Sequence, residues 1–339
     1  MKRGFVHVLL ASVFVLSLVL ATASFVQAKT EWKMALGDAS GGTQWALGER
    51  FAKVVEDKTG GDITIALFPN GQLGSEQETI ANCRLGTLDL SVAAINNITP
   101  FSPTVGLFTL PYLMLSIEDA VTLTQGPIGD ELVQNTIKSA GVRILGWSYS
   151  GFRRLSNSKR PVTKTEDLKG LTIRVPKNPI MIDSYKAWGI SPTPMAWDEV
   201  FTALQQGVLD GQDTPLITQY VMKFYEVQKY ITMIRYVFLL EPLVISEQLY
   251  QRQSPEVQQI LVEAGKEAQE HCRQFLIQYE DKIEKELKGK GLEFMEPANN
   301  EKEWIEKATK AVWPKYYESI GGKEKVDAAL KAINREFPF

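Results

Sequence analysis

The sequence predicts an α/β protein of two similar lobes facing each other, joined by crossing strands and overlaid by one long helix. Three observations predict it. A strand–helix–strand–helix–strand pattern occurs near the start of the chain and again in its middle, and strands alternating with helices of this length form parallel sheets. Tyr236–Ile245 is a run of strand formers placed where a return crossing between lobes would fall. From Val257 to Leu287 apolar residues recur at helical spacing without a break.

In the first pattern Trp32–Leu36 and Ile63–Phe68 read as strands around a helix at about 44–58, which Gly60 and Gly61 end. A helix at about 76–85 stops at Gly86, and Leu88–Ala93 is the next strand. In the second pattern Leu171–Val175 is a strand, Pro179–Trp188 a helix stopped by Gly189, and Ser191–Met195 a strand. A helix at about 198–206 then stops at Gly207, before the strand Val208–Gly211. Glycine just past a helix end supplies the left-handed conformation that closes the last turn. Ser254-Pro255-Glu256 is a helix start with a capping hydroxyl, a first-turn proline and an acid at the positive end. A helix from there to about Lys288 is on the order of 50 Å long, more than one small lobe needs. The tail, with Trp304, Trp313, Tyr316 and Tyr317, reads as amphipathic helices capping the second lobe. The expected lobes are 29–150 plus about 240–280, and 151–239 plus about 281–339.

Residues 1–28 read as a secretory signal peptide. Lys2 and Arg3 form the charged end, Phe5–Ala23 is largely apolar, and Val26-Gln27-Ala28 offers a cleavage site near Ala28. The alternative is an uncleaved anchor, against which stand the polar interruptions His7, Ser12, Ser17 and Thr22. The expected mature protein is exported and soluble. Without that segment the basic residues fall from 37 to 35 against 40 acidic ones, and the formal charge moves from −3 to −5. An acidic balance of this kind argues against nucleic acid as a partner. Cys83 and Cys272 lie far apart on expected helices among core-type neighbours, which favours two buried thiols, although export makes a disulfide chemically open.

Catalytic machinery is not evident. Beyond the leader the only histidine is His271, mid-way along the long helix, which leaves Ser–His, Cys–His and His-rich zinc sites without their central residue. Gly146-Trp-Ser-Tyr-Ser150 lacks the second glycine of a nucleophile elbow, and no nucleotide-binding glycine loop occurs. Asp198, Glu199, Asp210 and Asp213 suit caps and solvated strand ends better than acid–base work. No catalytic residue, metal ligand or cofactor is therefore expected. The residue that asks for a partner is Arg174. It alternates with apolar side chains in Leu171-Thr-Ile-Arg-Val175, and no acid lies within two positions of it. A buried guanidinium left unpaired carries a large desolvation cost, so either a distant carboxylate or a bound anion should meet it.

Several segments, in order, resemble those of the extracytoplasmic solute-binding receptors of tripartite ATP-independent periplasmic (TRAP) transporters, of the dicarboxylate-receptor type. The most specific are Asp167–Pro176, Gly189–Trp197 and Val200–Gln212, with Phe108–Tyr112, Gly151–Pro161 and Phe224–Tyr230 in support. The resemblance covers about residues 31–320. It implies a two-domain periplasmic-binding-protein-like fold with a ligand cleft between the domains. It implies too an organic acid (carboxylate) as ligand, and small and large TRAP membrane subunits, driven by an ion gradient, as partners. A monomer is expected. A receptor feeding a chemosensory or signalling partner is the alternative that shares this fold, and a secreted enzyme is the more distant one.

The resemblance places the ligand carboxylate on Arg174, whose planar fork matches it in two parallel hydrogen bonds. It also implies Arg153 as a second cleft arginine, with Arg154, its strand neighbour on the opposite face, as a surface charge. Two positions depart from many relatives. Thr214 stands where an asparagine often contacts the ligand, and its hydroxyl has a shorter reach; Trp197 stands where a smaller aromatic is common and would wall the cleft. Ala94 replaces the glutamate of sialic-acid receptors, which argues against that ligand. Weaker ligand-binding candidates are Gln44 and Trp45 at the end of the 37–45 loop, Asn96 beside Asn97 after the third strand, and Tyr149.

Overall fold

Apolar side chains at Trp32, Met34 and Leu36 place one face of β1 (Thr30–Leu36) in a core, and the chain that follows builds outward from it. The computed structural model describes residues 29–336, so the signal segment and its cleavage site lie outside the described residues. Helix α1 (Thr43–Lys58) returns to β2 (Ile63–Phe68), and α2 (Glu76–Leu85) leads to β3 (Leu90–Val92). Ser75 caps α2 reciprocally with Glu78, and Gly86 closes it at φ 75°. Helices α3 (Ile117–Gln125) and α4 (Pro127–Ala140) precede the long β4 (Val142–Phe152).

The chain then leaves the first sheet. It continues through β5 (Arg154–Asn157), β6 (Arg174–Val175), α5 (Pro179–Ala187), β7 (Thr193–Pro194), α6 (Val200–Gln205), β8 (Gly211–Thr214), α7 (Leu216–Val221) and β9 (Tyr230–Thr232). It re-enters the first sheet with β10 (Phe238–Ser246), and α8 (Glu247–Gln251) leads into α9 (Pro255–Gly289). The remainder is β11 (Glu293–Met295), α10 (Lys302–Tyr316) and α11 (Lys323–Ala332). The first sheet has the order β2-β1-β3-β10-β4 and the second β11-β9-β5-β8, with β6 and β7 as a parallel pair bridged to the second sheet through Ile173 and Gly211. The strands that leave and re-enter pair antiparallel, β4 with β10 and β5 with β9, while β9 runs parallel to β11 on its other side. The molecule is thus a two-domain α/β fold with two crossings.

Helix α9 ties the halves together. Leu261, Ala264, Ala268 and Cys272 pack into the core under β1 and α1, while Ile283 and Leu287 pack with Leu216 and Ile231 of the second half. It lies so close to β4 that a Cβ on Gly265 would collide with the Leu145 carbonyl, and only glycine permits that approach. Cys83 and Cys272 are both buried free thiols, and His271 is exposed on α9. The tail differs from expectation. Trp304 and Ala308 join the core around β6 and α5, but Val312, Trp313, Val326 and Leu330 join the core of the first half. Its helices therefore strap both halves, because α10 carries apolar residues long enough to reach from one core to the other.

One strand is displaced. Val208, expected in a strand, is 59% exposed, and the N–H groups of Val208 and Leu209 close α6 on the Ala203 carbonyl. The strand is instead the polar stretch Gly211–Thr214, fully buried because Gln212 donates to Ser156 and Asp213 pairs with Arg153.

Candidate functional site

The loops at the carboxyl ends of β1, β3, β6 and β8 converge on one cavity, the place where open α/β sheets hold ligands. Its volume is ≈ 300 Å³, and its walls are Asp38, Glu76, Ala94, Asn96, Asn97, Leu239 and Glu241 from the first half and Arg153, Arg174, Pro176, Trp197, Thr214 and Thr218 from the second. A second cavity of ≈ 290 Å³ adjoins it, sharing Glu76, Asn97 and Trp197 and adding Ser75, Gln77, Lys177 and Ala196. Four hydrogen bonds cross between the halves around this space: Thr218 to Asp38 at 3.1 Å, Asn178 to Thr99 at 3.0 Å and to the Asn96 carbonyl at 3.4 Å, and the Ala39 N–H to the Met222 sulfur at 3.3 Å.

Arg174 is buried in the wall. Its Nε and Nη2 donate to the Met195 carbonyl at 3.0 and 2.8 Å, and its guanidinium carbon lies 5.5 Å from the Trp197 ring centre. No carboxylate of the described residues forms an ion pair with it, and its Nη1 makes no hydrogen bond to the described residues. Burial, then the neighbouring Arg153 charge, lower its pKa to about 9, so it remains cationic at neutral pH. The site thus contains a desolvated cation facing a cavity.

Arg153 reaches the same wall by a different device. Ser150 is the extra residue of a β-bulge against Leu239 and Leu240, and Gly151 follows at φ 91°. Such a bulge redirects the chain as it leaves the sheet. Unlike Arg174, Arg153 is paired: Nε and Nη2 meet the Asp213 carboxylate at 3.2 and 3.1 Å, and Nη2 also donates to the Asp213 carbonyl. The Tyr236 hydroxyl donates to the same carboxylate.

Thr214, Trp197 and Asn96 also face the cavity. Both ends of the Asn96 amide are buried without a partner, as is the indole N–H of Trp197, whose ring leans on Phe224 at 5.4 Å. Four of the remaining expectations are corrected. Gln44 is not in the wall but one bond behind it, accepting the N–H groups of Gly37 and Asp38 and donating to Glu76 and Glu241. Trp45 packs against the core of the first half, because helical spacing turns it away from Thr43 and Gln44. Tyr149 sits in that half's other core with its hydroxyl 2.8 Å from Thr124, since strand alternation gives the cavity side to Ser148 and Ser150. Arg154, expected at the surface, is buried on the interior strand β5, with Nη1 donating to the Met233 and Ile234 carbonyls.

Sequence reasoning missed three acids. Glu241 accepts from Gln44 at 2.9 Å, Thr43 at 3.2 Å and Ser148 at 3.3 Å, and from Ser150. Glu76 accepts from Gln44 at 3.1 Å, the Ala94 N–H at 3.2 Å, and Asn97. Asp38 accepts from Thr218. Burial raises the pKa of all three, and mutual repulsion adds to it for Asp38 and Glu76, lifting Glu76 to about 7. Among the described residues these acids do not gather into a group able to hold a metal ion.

The raised Glu76 pKa has a sign. The folded state holds the proton more tightly than the unfolded chain, so this contribution to stability is fully present below the ordinary pKa near 4.5 and is lost as pH rises through 7. The loss is roughly 3 kcal/mol across that window. The melting temperature of the free protein should fall between pH 5 and 8, and Glu76→Gln should flatten the slope; an unchanged slope in the variant would remove Glu76 as its source.

A cavity between two α/β halves, lined from both, is the arrangement of a cleft-type binding protein. The comparisons agree and are more specific. The family model described as bacterial extracellular solute-binding protein, family 7, matches residues 39–320. The 2,3-diketo-L-gulonate-binding periplasmic protein YiaO of Escherichia coli is 32% identical over 251 residues, 74% of this chain and 76% of that one. A TRAP periplasmic solute binding protein of Rhodobacter sphaeroides, solved in an apo open form, is 37% identical with a TM-score of 0.74, covering 90% of this chain and 98% of its own. A sugar acid binding protein of Advenella mimigardefordensis in complex with galactonate superposes with a TM-score of 0.86 at 28% identity, with coverage of 90% and 98%. The chain belongs to the bacterial extracellular solute-binding proteins of family 7, the receptors of TRAP transporters, and its work is binding rather than catalysis.

Proposed function

We propose that the protein captures an organic acid anion in this cleft and delivers it to the small and large membrane subunits of an ion-gradient-driven TRAP permease. The observation that carries the reading is Arg174, a buried guanidinium facing a cavity, whose one hydrogen-bond acceptor among the described residues is a backbone carbonyl. A ligand carboxylate would complete it, with Thr214 and the unpartnered Asn96 amide beside it. Arg153, already bound to Asp213, would add positive potential and one free nitrogen rather than a full fork. The ligands of two relatives, 2,3-diketo-L-gulonate and galactonate, are carboxylic acids and support this reading.

The protein would act as a monomer in the periplasm after removal of its leader near Ala28, with no cofactor and no nucleic-acid partner. Its lobes would be 29–150 plus about 240–280 and 151–239 plus about 281–339, the tail strapping both. Because each half supplies part of the wall, the ligand would stabilise the closed arrangement by binding it better than the open one. The likeness is greater to the galactonate complex than to the apo open relative, which supports a closed state built from the cross-cleft bonds. Small-angle scattering should therefore show a smaller radius of gyration when calorimetrically confirmed ligand is added; equal radii would exclude cleft closure.

A further inference from the structure

We infer that the site selects a polyhydroxylated monocarboxylate and discriminates against dicarboxylates, a refinement that rests on the carboxylate reading above. The cavity wall carries two guanidinium groups and three carboxyl groups. Arg153 is already matched by Asp213, which leaves Arg174 as the one wall cation not in an ion pair, facing Asp38, Glu76 and Glu241. One ligand carboxylate satisfies Arg174. A second would enter a wall of acids with no cation left to receive it. Lys177, in the adjoining cavity, is exposed and hydrated, and such a surface ion pair contributes little.

The acids are built to accept. Every group that hydrogen-bonds Glu241, Glu76 or the Asp38 carboxyl is neutral: hydroxyls of Thr43, Ser148, Ser150 and Thr218, amides of Gln44 and Asn97, and one backbone N–H. A carboxylate has about four acceptor sites, so room remains on Asp38, which accepts from Thr218 and has the Trp197 indole beside it. Ligand hydroxyls can fill those sites; a ligand carboxylate has no proton to give. The Asn96 amide, with donor and acceptor both unpartnered, matches a hydroxyl, which is also both. A site shaped to hydrogen-bond hydroxyls rejects an analogue lacking them, because its buried polar groups are then left unpaired.

A dicarboxylate could enter only by sharing a proton with one of these acids. Burial raises the pKa of all three acids, so a proton is at hand near neutrality and that route weakens as pH rises through their titrations. A hydroxylated monocarboxylate needs no such proton.

The test is calorimetry at pH 8 with three matched series: aldonates of four to six carbons (erythronate, gluconate, galactonate), the corresponding aldarates (tartrate, glucarate, galactarate), and the unsubstituted acids butyrate and hexanoate. The best aldonate should bind at least tenfold more tightly than its matched aldarate and its unsubstituted acid. Glu76→Gln and Asp38→Asn, each checked for a cooperative melt, should narrow the aldonate–aldarate gap. An aldarate or unsubstituted acid that binds as well as the best aldonate overturns this inference and leaves the carboxylate reading standing. If none of the acids binds, or if sorbitol matches gluconate, the carboxylate reading fails as well.

Discussion

Arg174→Ala is expected to weaken organic-acid binding by about 100-fold or more while leaving the free protein as stable as before. A charge-assisted hydrogen bond contributes about 1.5–3 kcal/mol, and a carboxylate on a guanidinium edge makes two. At a ligand concentration of 100 Kd, binding adds about 2.7 kcal/mol to stability; a 100-fold loss of affinity cuts that to about 0.4 kcal/mol. The ligand-induced rise in melting temperature should therefore nearly vanish. The free protein is spared because Arg174 is not in an ion pair: alanine removes a desolvated charge and two bonds to one carbonyl, and these effects oppose each other. Arg174→Lys should recover little, since an ammonium offers no planar fork. Calorimetry and thermal shift on the same preparation check both halves, and unchanged affinity in the alanine variant would remove Arg174 from the ligand.

The fold was legible where patterns are local. Helices α1, α2 and α9 lie within a residue or two of their expected bounds because caps, glycine stops and apolar spacing all agree there. The strand Gly211–Thr214 was not legible, because polar residues are buried there by pairings formed with distant partners, Ser156 and Arg153. Trp45 and Tyr149 were misplaced for a simpler reason. Each neighbours a cavity-side residue in sequence, and one step along a helix or strand turns the side chain to the other face. Glu241 is the instructive omission. It sits in Phe-Leu-Leu-Glu-Pro-Leu-Val-Ile, as charged and as surrounded by apolar residues as Arg174, and the argument applied to Arg174 finds it equally well. Reading that run only for strand propensity hid an acid in the wall.

Arg153→Met should destabilise the free protein by about 3–5 kcal/mol, because it leaves the Asp213 carboxylate buried with its counter-ion gone. At roughly 2–3 °C for each kcal/mol in a chain of this size, the melting temperature should fall by roughly 10 °C. The Tyr236 hydroxyl still donates to Asp213, but one neutral donor does not replace two charged ones. The position amplifies the effect. The Arg153 N–H also bonds the Val237 carbonyl at 2.9 Å, so the outgoing and returning crossings meet here, and the pair fixes them to β8. Adding Asp213→Leu to Arg153→Met removes the orphaned charge together with its partner, and should restore much of the loss, since a well-packed apolar pair often matches a buried ion pair. Urea denaturation of the two single variants and the double variant measures this coupling directly. The result separates the two arginines by physical role: Arg174 should matter to the ligand-bound state and little to the free one, and Arg153 to the free state first. An Arg153→Met protein of full stability and lost affinity would invert that assignment and make Arg153 the ligand's principal partner.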